Sequence, residues 1–398
     1  MQHPQPGTRR ILAVNAGSSS IKFALFAALD APDRLVSGKV ERIGLGDSTW
    51  TLQTKDGRSE RQPISASTPA EALQELMKRL EKLLGNASIE CVGHRIVHGG
   101  PHYSAAARIT PELLAELRRM ESFDPEHLPA EIELIEAFAR LWPAVAQVAC
   151  FDTAFHAHMP RAAQIISVPR RLEALGVRRY GFHGLSYAYL CEALERLAGA
   201  EIARGRVILA HLGNGASMAA VHHGQSIDTT MGLTPTAGLT MSTRSGDLDP
   251  SLGWFLARTQ GTSAKEFFDM VNHQSGLLGI SETSSDMRDL LAARADDPRA
   301  AEAIDVFCYQ ARKWIGAYTA ALGGLETLVF SGGIGENAAE VRSQICRGLS
   351  CLGIDLDAAR NRANADVIST DAGRVTVRVI STDEEVMIAK SVARVLSN

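Results

Sequence analysis

The sequence predicts an α/β protein of two similar domains sharing a cleft, and three stretches carry that expectation. Ile208 to Val221 reads ILAHLGNGASMAAV, an apolar strand broken at Gly213, Asn214 and Gly215 and then resumed. Asn and Gly accept the positive φ of a tight corner, so this stretch is a hairpin. Glycine also lets backbone amides approach an anion closely. Ile11 to Phe26, ILAVNAGSSSIKFALF, shows the same strand–polar corner–strand pattern half the chain length earlier. The third stretch runs from the apolar Thr327 to Phe330 through the glycine loop Ser331 to Asn337 into a helical pattern. That arrangement sets anions at a helix N-terminus. A pattern repeated at half length implies two like domains, each turning an anion-holding corner toward the cleft.

The other elements follow in chain order. Residues 1–10 read as a frayed tail, and Leu35 to Leu52 as further alternating strands. A helix opens at Thr68, with Glu71 completing a capping box and Pro69 in the first position, and Gly85 ends it. Its Leu73, Leu76, Leu80 and Leu83/Leu84 make a core face. Cys91 to Gly100, CVGHRIVHGG, is an apolar strand leading into a turn, with Arg95 in its middle. Helices from Pro111 to Glu121 and Pro129 to Phe138 precede a buried strand, Val145 to Phe151, which Asp152 follows directly. His183 sits on a loop between Gly181 and Gly184, a placement that favours function over packing. Asp228 to Pro250 is a long Gly/Thr/Ser loop whose one cation is Arg244; it is either a surface connection or an active-site lid, and the lid is the favoured reading. Gly276 to Gly279 reads as a turn before a polar run to Asp286 and Arg288, and a long helix follows from about Ala300 to Leu322. Asn337 is placed as the cap of a helix Ala338 to Leu349. Thr382 and Glu385 are spaced for a capping box on the last helix, which leaves Glu384 over as a metal-side acid.

Composition narrows the function. A chain of 398 residues, 45% hydrophobic and 22% charged, has the make-up of a globular protein with room for two cores. A net charge of −4 gives no electrostatic reason to bind nucleic acid, so anions must meet local Arg, Lys and amide groups. The six cysteines are scattered without a CxxC pair, which argues against disulfide or metal frameworks and fits a reducing cytoplasm. With no apolar run of about 18 residues, neither a signal peptide nor a membrane span is expected.

Candidate chemistry rests on a few side chains. His94 and His98 read first as structural. Arg95, in an apolar strand, must be paired, and a carboxylate or phosphate suits its fork. Asp152 lies just past a strand end, where open α/β sheets put their chemistry. With His156 and His158 it lacks a third ligand at a metal spacing, so zinc is set aside. There is no GxxxxGK[ST], Rossmann fingerprint or GxSxG elbow. Duplication, three Gly/Ser/Asn loops and isolated arginines together point to a nucleotide in the cleft and to phosphoryl transfer. That reaction needs alignment, Mg²⁺ and cations around the equatorial oxygens. Arg95, His183 and Arg244 are of the right types.

The stretches NAGSSSIKF, GHRIVHGG, FDTAFH, RRYGFHG, HLGNGAS, MGLTP, TRSGDLDP, SGLLGIS, SSDMRDL, GGIGEN and TDEE run collinearly over residues 11 to 390. In type and order they resemble the acetate kinase family of the actin-like superfamily. The resemblance implies a duplicated two-domain actin-like (ribonuclease H-like) ATPase fold with an interdomain cleft. Residues 1–152 with a C-terminal helix 386–398 would form one domain and 153–385 the nucleotide-binding one. It also implies a cytoplasmic homodimer that converts ATP and acetate reversibly into ADP and acetyl phosphate, using Mg²⁺ or Mn²⁺. Carried over position by position, Asn15 and Glu384 lie on the metal side, and Ser18, Ser20 and Lys22 contact ATP. Arg95 holds the substrate carboxylate, while His183 and Arg244 stabilise the transition state. His211, Leu212, Gly213, Asn214 and Gly215 bind the nucleotide, with Asp286, Met287 and Arg288 and with Gly333, Ile334, Gly335, Glu336 and Asn337. Val97, Leu128 and Pro235 line a small methyl pocket.

Asp152 matches the residue to which the family assigns proton transfer. Acetate is already an anion at pH 7, with a carboxyl pKa near ~4, so its oxygen needs no base. Asp152 reads instead as the group that orients an arginine or a metal-bound water. The chain departs from the family pattern at Leu185 and Tyr187, where Thr and His are usual, and at Ala237 and Ser242, where Glu and Gly are common. None removes a catalytic group, and the first two lie behind His183. Propionate or another short-chain acyl substrate is the nearest rival, since one methylene is worth only about 1–3 kcal/mol, though the branched Val97 favours acetate. A non-catalytic actin-like ATP-binding module would have no use for Arg95, His183 and Arg244 together. A sugar kinase would need an Asp base and polar contacts that Val97, Leu128 and Pro235 do not offer.

Overall fold

The structure, a computed structural model, describes residues 10–17, 20–27, 32–43, 48–84 and 89–397. Ser18, Gly85 and nearly all of the expected tail lie outside the described residues. The chain divides into two compact units, one running up to Ala154 and resuming at Asp383, the other Phe155–Thr382.

The first unit is built on β1 (Arg10–Ala16), β2 (Ser20–Ala27), β3 (Asp33–Glu41), β4 (Thr49–Thr54), β5 (Ser59–Pro63), β6 (Cys91–Ile96), β7 (Ala107–Arg108) and β8 (Ala146–Phe151). They form one sheet in the order β5-β4-β3-β2-β1-β6-β8-β7. The first five strands meander antiparallel, whereas β1 with β6 and β6 with β8 are parallel. Parallel neighbours need crossovers, which the helices Pro69–Leu84, Pro111–Arg119 and Leu128–Leu141 supply. Ile11, Leu12, Ala13 and Val14 are all fully buried because the central strand is covered on both faces. Leu12 and Val14 join the core of Leu73, Leu76 and Leu80 from the first helix. The helix Glu384–Ser397 packs so closely on β6 that a Cβ on Gly93 would stand 2.5 Å from Ile388.

The second unit repeats the topology. β9 (Val207–Leu212), β10 (Ala216–His222), β11 (Gln225–Thr229), β12 (Thr327–Ser331) and β13 (Thr376–Val379) lie in the order β11-β10-β9-β12-β13. Its pairings are antiparallel up to β9 and parallel beyond it, as in β3-β2-β1-β6-β8. Two corresponding strand orders, each with an antiparallel hairpin, make this a two-domain actin-like ATPase fold.

Several local expectations are corrected. Leu83 is 37% exposed, because the last turn of its helix runs past the core, and the Leu84 side chain lies outside the description. Glu71 accepts from the amide of Ser67, not from that of Thr68, so only the Thr68 half of the capping box forms. Gly276–Ser281 is a short helix, not a turn, and it drives Leu277 into the core. Gly332–Asn337 is likewise helical, because the Glu336 carboxylate accepts from the Gly332 amide at 2.9 Å and caps the turn from within. Asn337 donates to the Gly333 carbonyl, so it does not cap the next helix, Ala339–Cys346. At the last helix the cap is Asp383, which accepts from Val386 N at 3.1 Å, while Thr382 bonds Ser186 and Glu385 receives Asn15.

Candidate active site

In the first unit the parallel pairing of β1, β6 and β8 brings Asn15, Arg95 and Asp152 together at the carboxyl ends of these strands. Arg95 donates through Nη2 to Asp152 Oδ2 at 2.6 Å and through Nε to both carboxylate oxygens at 3.1 Å. Its Nη1 reaches Asn15 Oδ1 at 3.2 Å. The first turn of the last helix adds Glu384, which accepts from Asn15 Nδ2 at 2.7 Å and lies 3.9 Å from Arg95 Nε. The Asp152 side chain is 0% exposed and that of Arg95 13%. Burial opposes the charge of Arg95, and the carboxylates of Asp152 and Glu384 more than offset it, so the guanidinium is held protonated. Lys22, exposed, is the register partner of Asn15, and Ser20 is half-buried beside the corner.

Val97 and Leu128 are both buried. The Val97 amide donates to the carboxyl of Glu131, a buried acid whose pKa is pushed well up by burial and by Asp124. Sequence reasoning missed Glu131, although an acid on the buried stripe of Leu128, Ile132 and Ile135 was a usable signal. His94 bonds Gln147 at 2.6 Å and is lowered to about 4 by burial, and His98 accepts from the Gly100 amide. Both fill structural places.

In the second unit the chain reaches His183 through Gly181 at φ +76, and His183 itself adopts φ 59 at the head of the helix Gly184–Ala198. Its Nδ1 lies 2.8 Å from Ser217 Oγ on β10, and its ring stacks on His211 of β9 with centroids 4.3 Å apart. The β9–β10 corner closes by a bond from Gly213 N to the Gly215 carbonyl. A Cβ added at Gly215 would stand 3.2 Å from His183 Nε2 and 3.7 Å from Arg244 Nη1, so imidazole and guanidinium converge on this glycine. Arg244 also donates to the Pro235 carbonyl at 3.2 Å. Ser242 binds Asn214 through its amide at 3.1 Å and its hydroxyl at 3.4 Å, tying the Arg244 loop to the corner. With Met231, Leu239 and Met241 buried, that loop packs closely on its own unit.

The helix Gly332–Asn337 abuts the same corner. A Cβ on Gly332 would lie 2.7 Å from the Leu212 carbonyl, and one on Gly213 would lie 3.9 Å from Gly333 N. Gly333 and Asn337 are exposed, Ile334 and Glu336 half-buried, and Gly335 buried. Asp286 caps the helix Met287–Ala293 through the Arg288 amide, Met287 is buried, and the exposed Arg288 folds back on Asp286 at 2.5 Å.

Two further arrangements were not legible in the sequence. Arg179 donates from one nitrogen to the carbonyls of Thr229, Thr230 and Met231, which joins the His183 arm to the start of the Arg244 loop. His156 pairs with Ser226 Oγ at 2.7 Å and with the Phe182 carbonyl at 3.0 Å, and burial lowers it to about 4. Both its nitrogens are therefore engaged by protein groups. Among the described residues no group of three or more His, Cys, Asp or Glu could hold a metal ion.

Chemically, the first unit offers a fixed guanidinium beside the oxygen donors of Asn15 and Glu384. The second offers a glycine corner with a guanidinium and an imidazole over it, groups suited to charge on phosphoryl oxygens.

A model of the acetokinase family matches residues 10–390. A propionate kinase of Citrobacter rodentium is 43% identical over 98% of this chain and 97% of its own length. An acetate kinase of Rhodopseudomonas palustris is 43% identical over 96% of this chain and 98% of its own. Among solved structures, an acetate kinase of Porphyromonas gingivalis superposes with a TM-score of 0.84 at 36% identity, covering 98% of this chain and 100% of that one. A propionate kinase of Francisella tularensis does so with 0.88 at 36% identity, covering 96% and 98%. On matches of this extent, the chain belongs to the acetokinase family.

Proposed function

We propose that this chain is an acetate kinase, transferring the γ-phosphoryl group of ATP reversibly to acetate by direct in-line displacement. The family is one of phosphotransferases with a carboxyl group as acceptor. The observation that carries the reading is the convergence of His183 Nε2 and Arg244 Nη1 on Gly215. A cation and an imidazole over a glycine corner suit the equatorial oxygens of a phosphoryl group in transfer.

In this reading Arg95 binds the carboxylate of acetate, and Asp152 orients Arg95. An acetate oxygen forms the new bond to phosphorus while the bond to the β,γ-bridging oxygen breaks, and the electron pair leaves with ADP. The attacking oxygen is anionic, so no proton has to be removed. His183 and Arg244 hold the equatorial oxygens. Val97, Leu128 and Pro235 wall the methyl group. Ser18, Ser20, Lys22, the corner His211 to Gly215, Asp286 to Arg288 and Gly333 to Asn337 hold the nucleotide. The oxygen donors of Asn15 and Glu384 fit Mg²⁺, a hard cation that takes few protein oxygens and keeps several waters, and Mn²⁺ accepts the same donors. When bound, the ion neutralises charge on the phosphate oxygens. The reading includes a cytoplasmic homodimer. All six cysteines are free, which suits a reducing compartment, and no helix among the described residues is long and apolar enough to cross a membrane.

A second reading, propionate kinase, is favoured by the relatives of that name. ATP-dependent acyl hydroxamate formation with acetate and with propionate decides between them. A higher kcat/KM for acetate is expected. A higher value for propionate transfers the assignment, and no acyl phosphate from either leaves an ATP-binding module.

A further inference from the structure

We propose that Tyr187 and Ser217 form a hydroxyl relay that fixes the tautomer of His183, leaving the ring proton on Nε2 toward the Gly215 corner. The inference rests on the reading of His183 as a group that steadies the transferred phosphoryl. Tyr187 lies one helical turn beyond His183, and its hydroxyl stands 2.5 Å from Ser217 Oγ. Ser217 Oγ in turn stands 2.8 Å from His183 Nδ1. Tyr187 and Ser217 are completely buried and His183 is 9% exposed.

Proton bookkeeping follows from the chemistry of the three groups. A phenol is a far stronger acid than an aliphatic alcohol, so Tyr187 is the donor to Ser217 Oγ. The single serine proton then points to His183 Nδ1, which must accept it. A neutral imidazole that accepts at Nδ1 carries its hydrogen at Nε2. Successive donation along such a chain strengthens each bond in a buried setting. The ring therefore presents an N–H at the corner without having to be charged.

The titratable and charged groups around this chain include His211, stacked on the ring from β9, Arg244, across Gly215 from the loop, and Tyr318 of the helix Pro298–Ala321, which interacts with Tyr187. Tyr187 itself comes from the helix that His183 heads, and His156 packs edge-on against the Tyr187 ring at 5.6 Å. Burial keeps His156 neutral, at about 4, so it puts no positive charge behind the relay. Tyr187 is thus a positioning residue, acting on the reaction only through His183.

Histidine ring ¹⁵N spectra and steady-state kinetics of the full-length chain test this. In the unaltered protein the His183 ring should show the Nε2–H pattern. Tyr187→Phe, which removes only the hydroxyl, should move those signals toward a tautomer mixture. It should lower kcat about five- to tenfold, with KM for ATP and acetate within about twofold. Ser217→Ala should do the same, and the double variant should be no worse than either single one. His183 signals unchanged by Tyr187→Phe, or a native ring protonated at Nδ1, overturn the relay. If His183→Gln leaves kcat at the native level, the reading of His183 fails, while the spectra still report on the relay independently.

Discussion

Arg95 in the first unit is gripped by a buried carboxylate, whereas His183 in the second is held by a serine and, through it, a tyrosine. The first arrangement is a charge network whose members depend on one another. Removing one side of a buried ion pair typically costs about 3–5 kcal/mol, since the other charge is left stranded. The second is a chain of neutral hydroxyls, in which each bond contributes about 1 kcal/mol. Damage in the first unit should therefore appear in stability as well as rate. Damage in the second should appear chiefly in rate.

The largest expected effect lies in the second unit. Arg244→Ala should lower kcat by roughly 10³ to 10⁵ if the guanidinium acts as an arginine finger, with little change in Tm. A loss below about tenfold, or a collapse of Tm, would erase the contrast between the units. Next comes Asp152→Asn, expected to destabilise by about 3 kcal/mol, the low end of the range because Arg95 keeps some solvent contact. Activity should fall through misplacement of Arg95 while the acidic limb of the pH–rate profile keeps its shape. Loss of that limb would make Asp152 a proton carrier.

The smallest effect concerns acid stability. Each unit holds a buried histidine that is lowered to about 4, His94 in the first and His156 in the second. Between that value and the unfolded value of about 6.5, the unfolded chain binds more protons. The stability each contributes is thus present above about pH 6.5 and is lost as pH falls toward 4. The first unit also holds Glu131 and Glu385, both raised by burial, where the second holds Asp228. An acid raised on folding acts in the opposite sense, its contribution being present below the unfolded pKa and lost as pH rises. The first unit should therefore weaken less between pH 7 and pH 5 than the second. Amide exchange followed separately in the two units at both pH values checks this, and equal slopes would refute it.

Both hairpins and β12 were legible because apolar runs and Asn/Gly corners are local signals. The caps were not: Asn337 and Thr382 have the right types, but the Glu336 carboxylate and Asp383 reach the amides instead. Gly276 reads as a turn because glycine breaks a pattern, although Leu277 finds a buried place one residue later. At the site, an arginine inside an apolar strand announced that it must be paired, with a carboxylate or a phosphate, and the structure pairs it with Asp152. The departure at Tyr187 pointed behind His183, but the serine that links them sits on β10, 30 positions beyond Tyr187. Spacing along the chain carries no trace of such a link.

Asn15 and Glu384 meet at 2.7 Å although 369 positions separate them. A ribosome therefore releases the first sheet long before the helix that packs on β6 and brings Glu384 to its place. On the proposed metal-side role of Glu384, a nascent chain stays inert until its tail emerges. On the same role, a protease that nicks only the carboxyl-terminal helix would silence the enzyme while leaving every loop around Gly215 whole.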